Sequence, residues 1–182
     1  MIYSFSLKTM MLAVGLALFL SHVLALVKGQ AVKAALKDFP RNKSAGVILT
    51  ALLATWFYWL VKTSDLGEFS NWRGLVLYLT PVSAVLAIFF MQEFLAVRAL
   101  GGLVLMAAEP ILESAFLRDE SSRLLLVSLT YVWIIVAMFW VGMPFTLRNQ
   151  IAWVSASESR WRGAAFAGIA YGALLSVFGL LL

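Results

Sequence analysis

Apolar residues come along this chain in runs of about 20, and polar residues are confined to the short stretches between them. The runs at 9–27, 44–61, 74–94, 124–145 and 158–182 are each long enough for a helix crossing a hydrocarbon layer of about 30 Å. The segment 99–117 is of another kind. Residues 99–108 are apolar, but Glu109-Pro110 then interrupts them. Proline deletes a backbone donor and disfavours helical backbone in the residue before it. Residues 111–117 can resume the helix. The pattern predicts an all-α bundle of about six transmembrane helices, in which 99–117 is broken, re-entrant or interfacial.

Shorter signals place the helix ends. Ser70 is positioned to cap the third run, and Pro81 falls in its first two turns, where a kink is tolerated. Ser155 and Glu158 have the S-x-x-E spacing of a capping box opening the last helix. Trp56, Phe57, Tyr58, Trp59, Trp72 and Tyr78 form an aromatic belt around one short loop, as expected at headgroup level. Between the first two runs, residues 28–39 put Lys33 and Lys37 on one side and Val32 and Leu36 on another. That is a short basic amphipathic helix suited to an anionic leaflet. Asn42-Lys43-Ser44 matches a glycosylation sequon, but it abuts a span in a basic loop, which argues against its use.

Composition turns the pattern into a class. The 182 residues are 63% hydrophobic and 13% charged, with a mean hydropathy of +0.93. A soluble domain runs to about 45–50% apolar and about 25% charged. The excess has to face lipid, so an integral membrane protein is expected, a single transmembrane domain over 1–182 with no room for another. The first run is followed by no clean small-x-small cleavage site and is read as a retained helix.

The net charge of +5 fits a membrane protein's basic loops better than nucleic-acid binding. Loop 28–43 holds Lys28, Lys33, Lys37, Arg41 and Lys43 against Asp38 alone, making these five the expected headgroup contacts and the cytoplasmic anchor. The N-terminus is then outside, in what reads as a prokaryotic cytoplasmic membrane. If 99–117 crosses, nine basic residues lie inside and five outside; if not, eight and six. The counts favour six crossings.

Few residues carry candidate chemistry. Cysteine is absent, which removes thiolate catalysis, disulfides and cysteine-ligated metals. H-E-x-x-H, P-loop, G-x-S-x-G and G-x-G-x-x-G signatures are missing, and no metal or cofactor is expected. Glu93, Arg98, Glu109 and Glu113 form the one group suggesting an ion or substrate site, because carboxylates at membrane depth are costly and often functional. Glu109 and Glu113, four apart, share a helix face if the helix survives Pro110. His22, the single histidine, is a weak haem candidate and more simply an interhelical hydrogen-bonding group. Ala164, Gly168, Gly172 and Ser176 recur every four residues and mark close helix packing, within the chain or against a partner; Ala13 and Ala17 repeat the spacing briefly in the first run. These features point first to a non-catalytic subunit or scaffold of a membrane complex. Its partners would be lipids, other subunits or a second copy through the last helix. The alternative is a small proton- or cation-coupled transporter using the acidic residues. A lipid-modifying enzyme ranks third.

Overall fold

A computed structural model describes residues 3–182. Among them are eight α-helices and no strand: α1 (Leu7–Val27), α2 (Gly29–Asp38), α3 (Lys43–Thr63), α4 (Arg73–Phe90), α5 (Leu95–Ala115), α6 (Arg123–Gly142), α7 (Phe145–Ser155) and α8 (Glu158–Leu181). Six of them, all but α2 and α7, are long and apolar enough to cross a membrane.

Local chemistry sets the boundaries. The Ser6 hydroxyl accepts from the Thr9 amide at the start of α1, and the Asn42 side chain accepts from the Ala45 amide at the start of α3. Each satisfies one of the donors that a helix start leaves free. The sequon asparagine is therefore a helix cap. The basic amphipathic segment forms as α2, followed by a turn of 3-10 helix at Phe39–Arg41. The third long helix ends at Phe90, four residues before the expected boundary, because Phe94 takes a left-handed conformation (φ 57°) and turns the chain into α5. Two capping expectations are corrected. Ser70 lies in a 3-10 turn with its hydroxyl on the Gly67 carbonyl, and α4 begins at Arg73 without a side-chain cap. Ser157, not Ser155, precedes α8, and it too makes no side-chain cap.

Helix α5 corrects the expectation of a break. It runs unbroken through Pro110. A proline in a helix interior costs about 3 kcal/mol, but here it is buried along with Ile111, Ser114 and Ala115. Ile111 and Ala115 join Leu7, Met11 and Val14 of α1, Leu126 of α6 and Leu175 of α8 in a buried hydrophobic cluster. Tertiary packing outweighs the lost backbone bond. α5 is also the hub of the bundle, touching α1, α3 and α6, while α4 is attached chiefly to α3 and buries none of its residues.

The most extensive contact joins the first helix to the last. They run antiparallel with backbones nearly touching. A Cβ added at Gly172 would lie 2.6 Å from the Phe19 amide nitrogen and 2.7 Å from the Gly15 carbonyl oxygen; one added at Gly15 would lie 2.9 Å from the Gly172 carbonyl oxygen. The expected stripe thus finds its partner inside the chain. Gly168 faces the His22 ring, and Ser176 lies against Gly15 and bonds the Gly172 carbonyl. Ala164 stands exposed at the rim. On α1 the matching small residue is Gly15, whereas Ala13 and Ala17 are exposed.

Gly172→Ala should therefore overpack a backbone-lined contact and destabilise the fold by about 1–3 kcal/mol. Gly163→Ala, on the same helix but facing open space, should stabilise it by about 0.5–1 kcal/mol through helix propensity. Thermal unfolding of the two variants checks the opposite signs; equal shifts would mean that α1 and α8 do not meet at Gly172.

Candidate functional site

Helix parity gathers the connections at two ends. One end holds α2, the α4–α5 link and the α6–α7–α8 connection; the other holds the N-terminus, the α3–α4 and α5–α6 links and the C-terminus. Nine of the fourteen Lys and Arg residues fall at the first end, where Asp38, Glu93 and Glu158 are the only acidic residues. The remaining five basic residues share the second end with six acidic ones. One end is strongly basic, and the other is nearly balanced.

The four residues proposed from sequence as an ion or substrate site are not brought together. Glu93 is exposed at the basic end. Glu109, exposed, and Glu113, half-buried, lie near the opposite end of α5, whose 21 residues span roughly 30 Å. Glu109 and Glu113 share a helix face, as their spacing requires. About 16 Å of helix rise separates Arg98 from Glu109. Among the described residues no group of three or more His, Asp or Glu side chains is placed to hold a metal ion.

Arg98 has another role. Its Nη1 donates to the Val141 carbonyl at 2.8 Å, at the end of α6. Arg73 does the same for α3, donating to Ser64 O at 2.7 Å, and Arg123 reaches Ala115 O at the end of α5 at 3.4 Å. Helix C-termini leave four carbonyls without donors and carry partial negative charge, so a guanidinium there serves both needs. Sequence reading counted Arg73 and Arg123 only as signs of orientation and placed Arg98 in the ion or substrate group. Arg73 and Arg123 each follow the helix end they serve by a short connection, and that position was the available signal; Arg98 serves α6 from the start of α5, which position along the chain does not show.

His22 is half-buried, with Nδ1 on the Leu18 carbonyl at 2.8 Å and its ring against Gly168. The ring packs between α1 and α8, but its hydrogen bond stays within α1, so the expected interhelical hydrogen bond is not made. Of the five headgroup candidates, Lys28, Lys37, Arg41 and Lys43 are exposed at the basic end. Lys33 is a correction: it is 7% exposed, ion-paired with Glu158 at the start of α8 and stacked over the Trp161 ring, 5.1 Å from its centroid. A lysine on the polar side of a ten-residue helix has become a strut between α2 and α8. Trp161 in turn donates from Nε1 to Ala25 O at 3.0 Å, tying α8 to the end of α1.

Sequence reading missed two features. One is α7, an eleven-residue helix at the basic end joined to α6 by Trp140 Nε1 donating to Gln150 at 3.0 Å. The other is an open apolar cleft of about 580 Å³ between α3, α4 and α5. It is lined by Leu53, Phe57, Leu79 and Leu105, with the hydroxyl residues Thr50, Thr80 and Ser83 among them. The Thr80 hydroxyl is spent on Val76 O, while buried Thr50 Oγ1 has no partner among the described residues.

Compared with known protein families, curated proteins and solved structures, the chain matches none of them.

The Lys33–Glu158 pair is open to a direct test. Glu158→Gln strands a buried ammonium, which is costlier than removing both charges. Glu158→Gln should lower the unfolding temperature more than Lys33→Met/Glu158→Gln does. A double variant no more stable than the single would show that Lys33 does not depend on Glu158.

Proposed function

We propose that this chain is a multi-pass integral membrane protein whose basic end lies at the anionic, cytoplasmic leaflet, and that it works as a non-catalytic subunit of a larger membrane complex. The charge asymmetry between the two ends supports the orientation. The six long apolar helices support insertion, since their exposed flanks carry large side chains such as Leu20, Leu52, Phe89 and Ile135.

The observation that carries the subunit role is the cleft beside α4. In lipid, helices gain no hydrophobic advantage from one another; close packing and hydroxyl hydrogen bonds drive association. A long helix that buries nothing, flanking a cleft with a buried hydroxyl lacking a partner, is incompletely packed as a single chain. A transmembrane helix from another subunit would fill the cleft between α3, α4 and α5. The carrier reading has less support, because its carboxylates stand at opposite ends of α5 and Glu109 is exposed.

Ala84 lines the cleft, so Ala84→Phe fills it without touching the α1–α8 contact. In native membranes extracted with mild detergent, the parent should migrate as a complex heavier than its own 20.1 kDa, and Ala84→Phe should shift to the mass of the chain alone with unchanged thermal stability. An unchanged complex mass would remove the cleft as the docking site. A parent already migrating as the single chain would remove the subunit reading.

A further inference from the structure

A second concavity, of about 430 Å³, opens at the basic end where the end of α1, the start of α2 and the start of α8 meet. Its polar lining is Lys28, Gln30, Lys33, Glu158 and Arg162, with Trp161 at the base. Glu158, the one carboxylate, is held by Lys33 and has Arg162 one turn further along α8. Three cations therefore surround one anion, and Lys28 and Arg162 are exposed. Trp161 also walls a neighbouring apolar cleft of about 350 Å³, lined by Val32 and Leu36 of α2 and by Ala164 and Ala165 of α8. A basic crevice and an apolar cleft thus meet at one indole, at the end of the bundle that carries the excess positive charge.

We propose that this junction binds an anionic phospholipid, with the phosphate between Lys28 and Arg162 and an acyl chain along the apolar cleft beyond Trp161. The chemistry matches on both sides. A guanidinium recognises phosphate with two parallel hydrogen bonds, and an ammonium adds a point charge. The Gln30 amide supplies a neutral donor for headgroup hydroxyls. Basic pockets between transmembrane helices on the cytoplasmic side are suited to such headgroups, and tryptophan favours the headgroup level. Lys33, locked to Glu158, holds the walls together. The site rests on the membrane placement proposed above.

The test is a titration of the purified full chain in zwitterionic detergent with phosphatidylglycerol, phosphatidylcholine or inorganic phosphate, with retained lipid measured by native mass spectrometry. The parent should retain phosphatidylglycerol in preference to phosphatidylcholine. Lys28→Gln/Arg162→Gln should weaken that retention roughly 10- to 30-fold, while Lys37→Gln/Arg41→Gln, removing equal charge from the same end, should keep it. Arg162→Lys should restore part of it, which guards against a folding defect. Equal losses in the two double variants would reduce the site to diffuse surface charge, and equal retention of the two lipids would remove it. Displacement of the retained phosphatidylglycerol by inorganic phosphate at equal concentration would make it a free-anion site and overturn the lipid assignment. Flotation with phosphatidylcholine vesicles separates the two levels: failure to float sinks the membrane placement, whereas floating without a phosphatidylglycerol preference sinks only the headgroup site.

Discussion

The contact on which the arrangement rests is the approach of two backbones, α1 and α8, through Gly15 and Gly172. In a membrane, helices with flanks as apolar as these would gain nothing by hiding from lipid. What holds them is the density of dispersion contacts when backbones come close, and weak interhelical hydrogen bonds. Glycine permits that closeness by removing the side chain that would keep the backbones apart. Joining the first helix to the last closes the chain on itself and sets Trp161 against the end of α1. The hub helix repeats the device: Gly101 lies against the Ala137 carbonyl of α6 and Gly102 against Leu53 of α3. Adjacent on α5, they point about 100° apart and admit a neighbour on each side.

With the middle so apolar, polar groups are concentrated at the ends and take on structural roles there. Arg73, Arg98 and Arg123 donate to carbonyls where α3, α6 and α5 stop. Arg148 lies over the Phe94 ring, 5.8 Å from its centroid, beside the left-handed turn into α5. Lys33 and Glu158 join the amphipathic helix to the last long one. The cations left free at the basic end, Lys28, Lys37, Arg41, Lys43 and Arg162 among them, are the ones available to an anionic surface or ligand.

The long helices were legible because a run of about 20 apolar residues has few alternatives. The small-residue stripe on α8 was legible as a packing face, though its partner was not, since spacing names no neighbour. Pro110 shows why the rest was hidden. A local rule reads Glu109-Pro110 as a break, while burial of Ile111 and Ala115 among α1, α6 and α8 keeps the helix whole. Lys33 failed the same way: on α2 alone it belongs to the wet side, and only the placement of Glu158, far along the chain, turns it inward. α7 mixes Arg148, Asn149 and Gln150 with apolar residues over three turns, too short and too polar to register as a span. For the candidate site, the sequence shows the basic residues of loop 28–43 as a cluster, but the crevice that Lys28 shares with Arg162 arises from folding.

The absence of cysteine makes the six-crossing, basic-end-inside arrangement testable by labelling single introduced cysteines with a membrane-impermeant maleimide. Lys37→Cys and Asn149→Cys report on the basic end, and Ser70→Cys and Glu120→Cys on the other. In intact cells, Ser70→Cys and Glu120→Cys should label, and Lys37→Cys and Asn149→Cys should label only after permeabilisation. Labelling of Glu120→Cys together with Lys37→Cys from the same side would place α5 outside the set of crossing helices and contradict the arrangement.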